Sequence, residues 1–594
     1  MKISNTILGG ISVLLCLASL NSCSGTLDAT PDGRTSLEEV FQDPDLCAAY
    51  FSSSFNNLPQ KSANYFWFQN YPCALSDEGW GNDDEYGPIL AYKGQASATD
   101  FPMDKFNTGS FDCMFWQRDW QQIRIINTFL KYIPTATLSY EENRNIWTGE
   151  AHVLRAFFYL QLLKFYGPLP IVTEPLDNDY PYGSIKKSSS ADVLRFICAD
   201  CDEGLKSNLP WRLNDVKQKY RMTKAIALAI KSEASLFAAS PLYNGGEDLW
   251  QWAYETNNDA YTQLLANGYE LYTKMLTKNY NSAYGEYFAQ NNYWGSNPID
   301  KETIWQSDFG MQNRWWIAGT PVQGNYLAGT VPTQELVDAY DMLATGKPVL
   351  DLAKPYNDEM HLNPNYTTNS GYDPQNPYSG RDPRLQATVI FNGSTVQKGA
   401  TVHEVEIWVG GNSSIKDQGA RYTRTGYYLR KFANYKGDDD GKWKFYRLGA
   451  VMLNLAETAV EVGKIDEAMK LVNEIRHRAG FDPSVDVSAS NKEEARLIVR
   501  HERQVELAFE ENRYFDTRRW IGESDNLENE KFSTGMKITK NGVNLSYQRI
   551  LINSNGSDPS KYSYLAKWHF WPIPGKEAAR MESLTGENWQ NPGW

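Results

Sequence analysis

Apolar residues recur at helical spacing over several turns in four stretches, 116–133, 146–166, 223–239 and 448–462, the 3.6-residue period of helices with one buried face. Residues 192–201 read as another helix, with Cys198 and Cys201 sharing a face. Glycine and proline close these elements: Tyr166-Gly-Pro-Leu-Pro ends one and Ser240-Pro-Leu-Tyr-Asn-Gly-Gly another. In the last stretch Ala456, Gly463 and Ala468, then Val472, Ile475 and Pro483, fall at the spacing of a tetratricopeptide unit, whose small side chains let paired helices approach closely.

From about 280 to 440 the pattern changes to short apolar runs broken by Gly, Asn, Pro and Asp, which reads as loops and small strands. Residues 427–432 and 443–447 are expected to pair as a hairpin across Gly437-Asp-Asp-Asp-Gly. That acidic turn lacks the alternating ligands of a calcium loop and reads as solvated. The expected fold class is mainly α, with helical pairs carrying a loop-rich, small-strand face.

The chain opens with Lys2 and an apolar run over 7–20, and Leu20-Asn21-Ser22-Cys23 looks like a lipobox, although Asn21 stands where a smaller or apolar residue is usual. This is the form of a bacterial export signal, too short to span a bilayer. Cleavage would leave Cys23 first and acylated. No apolar run of spanning length follows, so membrane attachment falls to the lipid.

Removing residues 1–22, which hold Lys2 and no acid, takes the formal charge from −14 to −15, so an extended basic face for nucleic acid is not expected. Besides Cys16 and Cys23 the cysteines are Cys47, Cys73, Cys113, Cys198 and Cys201, an odd set that implies no disulfide framework. No second CxxC accompanies Cys198 and Cys201, which are expected to be small core residues. His501-Glu502 lacks the second histidine of a zinc helix because position 505 is Val. No metal or cofactor is expected. Glu502, Arg503, Glu506, Glu510 and Arg513 are read as salt bridges along helices.

Aromatic residues change the picture most, at 13% of the chain with 19 Trp and 36 Tyr. Residues 290–327 contain Trp294, Trp305, Trp315 and Trp316. Trp305 lies in a strand-like run and is expected in the core, whereas Trp294, Trp315 and Trp316 stand in polar loops and are candidate ligand-stacking rings. A second candidate loop is Ser76-Asp-Glu-Gly-Trp-Gly-Asn-Asp-Asp-Glu, where Trp80 would cover a sugar face while Asp77, Glu78, Asn82 or Asp83 bond its hydroxyls. Asp77 and Glu78 have an equal claim to bracing the backbone. Covering about 100 Å² of a ring gives roughly 2.5 kcal/mol, whereas a micromolar complex needs about 8 kcal/mol, so several rings must act together. The carboxylates Asp77, Glu78, Asp83, Asp84 and Glu85 also raise a glycoside hydrolase, which needs two carboxyls roughly 5–10 Å apart across a bond. Arg421, Arg424, Arg430 and Lys431 offer a local basic patch.

Blocks spread from the lipobox to the last residue carry a resemblance. Gly149-Glu-Ala-His-Val-Leu-Arg-Ala-Phe-Phe-Tyr-Leu, Arg221-Met-Thr-Lys, Ala238-Ala-Ser-Pro-Leu-Tyr-Asn-Gly, Glu335-Leu-Val-Asp-Ala-Tyr-Asp-Met, Arg381-Asp-Pro-Arg-Leu, Arg513-Tyr-Phe-Asp-Thr-Arg-Arg-Trp, Trp571-Pro-Ile-Pro and Gln590-Asn-Pro-Gly-Trp are similar to blocks of the SusD/RagB family of surface lipoproteins. The resemblance implies a scaffold of about four tetratricopeptide-like helical pairs. It also implies a non-catalytic role as a lid on a SusC-like TonB-dependent transporter in the outer membrane of a Gram-negative cell, with an oligosaccharide as the usual ligand. Capture of oligopeptides by the same arrangement is the alternative. On this basis the chain divides into a signal (1–22), an N-terminal SusD-like region (23–225) and a C-terminal RagB/SusD region (226–594), the last including the loop-rich 280–440 and a final helical pair over 447–520.

Overall fold

The computed structural model describes residues 35–58, 71–82, 88–101, 115–177, 179–276, 280–289, 293–310, 319–416, 419–432, 441–552 and 562–594. Cys23, Asp83, Asp84, Glu85, Cys113, Trp315, Trp316 and most of the acidic turn after Gly437 lie outside them.

Among the described residues, short helices including α1 (Leu37–Gln42) and α2 (Pro44–Ser53) precede a row of eight long ones: α3 (Phe115–Tyr132), α4 (Glu142–Tyr166), α5 (Ser190–Lys206), α6 (Lys224–Ala239), α7 (Trp250–Ala266), α8 (Leu448–Glu461), α9 (Ile465–Ala479) and α10 (Lys492–Glu506). Each of the eight packs on the next, and α10 packs on both α8 and α9. Eight helices are the number that four pairs supply. The row passes directly from α7 to α8, so residues 267–447 form an excursion from a continuous helical stack.

Local chemistry sets the helix ends. Thr223 caps α6 by accepting from the Ile226 amide, and the helix stops at Ser240, before a proline. Asn491 caps α10 through the Glu494 amide. Close approach between α4 and α5 depends on Gly204, where an added Cβ would lie 2.4 Å from Cγ2 of Val153. Cys198 and Cys201 sit in that packed layer, 4% and 0% exposed, and burial pushes the Cys198 thiol up to about 12.

Among the described residues the strands form five separate two-stranded antiparallel sheets: β1 (Gly79–Gly81) with β3 (Thr330–Pro332), β2 (Thr303–Gly310) with β8 (Lys442–Arg447), β4 (Val389–Ile390) with β7 (Tyr428–Leu429), β5 (Thr395–Lys398) with β6 (Thr401–Glu404), and β9 (Thr534–Asn541) with β10 (Asn544–Leu551). The hairpin expected between 427–432 and 443–447 is therefore corrected: each segment finds a distant partner, β4 for the first and β2 for the second. Trp305 is buried in the β2–β8 layer, its ring edge-on to Phe157 at 5.0 Å.

The charged run over the last turns of α10 and just beyond it also differs from its reading. Its salt bridges join separate elements rather than neighbours on one helix: Glu502 meets Arg384, Glu506 meets Arg384 and Arg447, Glu510 meets Arg447 and Lys431, and Arg503 meets Asp516. Lys431 and Arg424 are 1% and 2% exposed, so the basic patch expected at 421–431 is not a surface patch. Among the described residues no helix is long and apolar enough to cross a membrane.

Candidate functional site

The segment Ser76–Asn82 runs inward from a cavity wall to a loop surface, and its residues have three different environments. Asp77 clasps Arg513 through both carboxylate oxygens, at 2.8 and 2.7 Å, and its backbone carbonyl accepts from the Thr333 hydroxyl. Glu78 is fully buried and accepts from the Phe509 amide at 3.0 Å. Burial pushes its carboxyl up to about 7, and that of its neighbour Glu511 up to about 8. Asp77 and Glu78 are thus both engaged in holding the local chain, Asp77 at the edge of a cavity and Glu78 in the core.

Trp80 is fully buried and stacked on Tyr92, with ring centres 4.1 Å apart at 15°. Its assignment as a stacking surface for sugar is corrected, since neither face is open. The flanking glycines serve close packing: a Cβ at Gly79 would lie 2.9 Å from Cγ2 of Thr330, and one at Gly81 would lie 2.8 Å from Cγ of Pro88.

Asn82 is also withdrawn from solvent, and it acts as a clamp. Its amide donates to the carbonyls of Ala420 (3.1 Å) and Tyr422 (2.6 Å), its side-chain oxygen accepts from the Arg424 amide (3.1 Å), and its own amide reaches the Gly329 carbonyl (3.1 Å). Asn325 performs the same task on the facing loop, donating to the carbonyls of Gly319 (2.7 Å), Leu327 (2.9 Å) and Arg421 (3.0 Å). Two asparagines thus hold three chain segments, 80–82, 319–329 and 420–424, in fixed register. Segments around 80 and at the end of 290–327 do come together, but through backbone and amides rather than indoles.

The outer face of these clamped loops carries Tyr326 at 64% exposure, exposed Arg421, and half-buried Tyr422 with the Lys416 ammonium 3.6 Å from its ring centre. Trp294 is half-buried against Tyr293, with ring centres 4.8 Å apart, and the following Gly295 amide bonds the Asn214 carbonyl. It is therefore anchored to the loop between α5 and α6. Sequence reasoning missed Tyr326, Tyr422 and Asn325, although Tyr326 and Asn325 fall inside the nominated 290–327 stretch; the search there followed tryptophan alone.

Beneath the loops lies an ionic lattice. Burial alone pushes Glu506 up, but the Arg478, Arg447 and Arg384 guanidinium groups hold it down at about 2. Arg447 bonds Glu302, Glu506 and Glu510 at 2.7–2.9 Å. His501 turns its Nε2 to Asp341 at 2.7 Å. Among the described residues no group of three or more His, Cys, Asp or Glu is arranged to hold a metal ion. Asp77 in its salt bridge and Glu78 in the core are not disposed as an acid and base pair across a cleft.

Comparison with known proteins follows this geometry. The SusD family profile matches residues 276–594, and a profile described as starch-binding associating with outer membrane matches residues 91–236. SusD-like protein P38 of Formosa agariphila is 22% identical over 521 residues, covering 85% of this chain and 89% of its own. A SusD-like protein from Bacteroides fragilis superposes with a TM-score of 0.70 at 22% identity, covering 94% of this chain and all of that one. A SusD-like carbohydrate binding protein from the same species gives 0.64 at 19% identity, covering 92% of this chain and 99% of that one. Surface glycan-binding protein A from Bacteroides fluxus gives 0.53 at 17% identity, covering 93% of this chain and all of that one.

Proposed function

Given that the chain belongs to the SusD family, we propose that it captures an oligosaccharide at the cell surface, without cutting it, and delivers it to a SusC-like TonB-dependent transporter. One observation carries this reading: the amides of Asn82 and Asn325 fix in register three loops that carry the exposed Tyr326 and Arg421 and the half-buried Tyr422. A preset aromatic surface binds a sugar with little ordering cost, and the guanidinium and phenol groups offer donors to hydroxyls. Trp294, Trp315 and Trp316 stay candidate stacking rings for the ligand, on the polar sequence around them. The family resemblance supports the transporter partner, and the names of the carbohydrate-binding relatives support the ligand class.

Attachment to the outer membrane runs through acyl chains on Cys23; Cys23→Ala would release the protein to the soluble fraction, and its retention in membranes would count against the anchor. The ligand is tested by calorimetry of a panel of neutral polysaccharides and of peptide mixtures against the purified chain and its Tyr326→Ala and Trp315→Ala variants. Binding of a glycan that both variants weaken supports the reading. Binding of peptides alone would transfer it to oligopeptide capture, and new reducing ends in the glycan incubations would make the protein a hydrolase.

A further inference from the structure

A cavity of about 490 Å³ opens on the far side of the Ser76–Asn82 segment, between α10, the end of the helix Asn512–Arg519, and the loops at 350–361 and 526–530. Most charged groups in its wall carry a counter-charge: Asp77 has Arg513, Asp338 has Arg549, Glu335 has His361 and His501 has Asp341. Arg500 is the exception among the cations. It lies with its guanidinium carbon 4.5 Å from the centre of the Trp520 ring, its Nε is buried with no acceptor, and it forms no ion pair with any of the described residues. The buried arginines around it, Arg503, Arg513 and Arg519, each hold a carboxylate.

A half-buried cation without a hydrogen-bonded counter-charge is costly, and an oxyanion brought to it makes charge-assisted hydrogen bonds to a fork that matches a carboxylate. We propose that this cavity is a second ligand site, which takes the carboxylate of a single acidic sugar unit on the Arg500 guanidinium. The volume exceeds that of a bare inorganic anion several-fold and lies in the range of small-molecule pockets. Gln504 and Thr517 flank Arg500 in the wall and suit the hydroxyls next to a carboxylate. The rim carries the exposed acids Asp351 and Glu528 beside Asn526 and Asn529. These carboxylates accept from sugar hydroxyls and repel a densely charged chain, so the fitting ligand carries one acid group deep and neutral units outside. The sugar half of this assignment rests on the carbohydrate reading above, whereas the anion half rests on Arg500 alone.

The test is calorimetric titration of glucuronate, glucose and inorganic sulfate into the purified full chain and its Arg500→Gln, Arg500→Lys and Tyr326→Ala variants. Glucuronate is expected to bind the wild type, to bind Arg500→Gln at least about tenfold more weakly, and Arg500→Lys between the two, because a charged hydrogen-bond pair is worth about 1.5–3 kcal/mol. Tyr326→Ala should bind it as the wild type does. No glucuronate binding to the wild type, or equal binding to Arg500→Gln, overturns the site; sulfate binding as tightly as glucuronate overturns its assignment to a sugar. Since Arg500 holds no carboxylate and loses only its contact with the Trp520 ring, Arg500→Gln without ligand should unfold within a few degrees of the wild type, and a drop as large as that of a broken buried ion pair would overturn the unpaired state. If no neutral glycan binds while glucuronate binds through Arg500, the loop-face reading fails and this site stands.

Discussion

The Trp80 indole lies flat on the Tyr92 ring, 4.1 Å between centres, while the Tyr92 hydroxyl donates to the Ala74 carbonyl and accepts from the Gly81 amide. The pair ties the β1 ribbon to the core beneath the loop face. Trp80→Ala should cost about 3–5 kcal/mol of stability through the cavity it leaves, seen as a lower urea midpoint at unchanged slope. Ligand affinity measured well below that midpoint should stay within about twofold if the ring only supports the fold.

Asn82 and Asn325 should behave in the opposite way. Asn325→Ala leaves the carbonyls of Gly319, Leu327 and Arg421 without their donor, at about 1–3 kcal/mol, and the loss is confined to the surface loops. Limited proteolysis within 319–329 should speed up, and glycan affinity should fall, with little change in the global melting temperature.

Stability should depend on pH from two sides. Glu78 and Glu511 have carboxyls raised from 4.5 to about 7 and about 8 by burial, so the folded state holds protons that the unfolded chain releases. Their contribution is complete below about pH 4.5 and drains away as the pH rises towards 7–8, by about 3 kcal/mol for Glu78. Glu78→Gln should therefore match the wild type at pH 5 and exceed it at pH 8 in chemical denaturation. Asp341 and Glu506, held at about 2, act the other way: their stabilisation is present above about pH 4.5 and is lost as the pH falls towards 2. A wild-type profile with no decline between pH 5 and 8 would contradict the neutral state of Glu78.

Arg447 concentrates the lattice beneath the loops, bonding three carboxylates from β2's start and the α10 terminus. Arg447→Ala strands buried negative charge, at about 3–5 kcal/mol, and should abolish soluble expression or lower the melting temperature sharply. Glu506→Gln in the same background should recover part of the loss, a rescue that simple loss of packing would not produce.

The stretches at 116–133, 146–166, 223–239 and 448–462 were legible through their 3.6-residue apolar period and fall on α3, α4, α6 and α8, whereas α7 and α10 were not read from the sequence. The 448–468 unit was legible to the residue because small side chains at Ala456 and Ala468 answer a local packing need. What the loops do was hidden, because their partners are far along the chain. Asp77 and Glu78 look exposed beside Gly79 and Gly81 until Arg513 and the Phe509 amide are brought up against them. The hairpin expected at 427–447 failed for the same reason, each strand being claimed by a distant edge. Tyr326 and Tyr422 carry no local signal that separates them from the many buried tyrosines of this chain, and Arg500 differs from its fully paired neighbours only in three dimensions.

The direct passage of the helical row from α7 to α8 has a further consequence. Residues 267–447 leave and rejoin the frame at adjoining helices, so their two ends need only be about one helix diameter apart, roughly 8–10 Å. Arg384 and Arg447 of this excursion nevertheless hold Glu502 and Glu506 of α10, and Trp305 packs on Phe157 of α4, so a segment spliced between Ala266 and Leu448 must bring those anchors with it, and a new diet is met by varying the loops around a retained set of attachments.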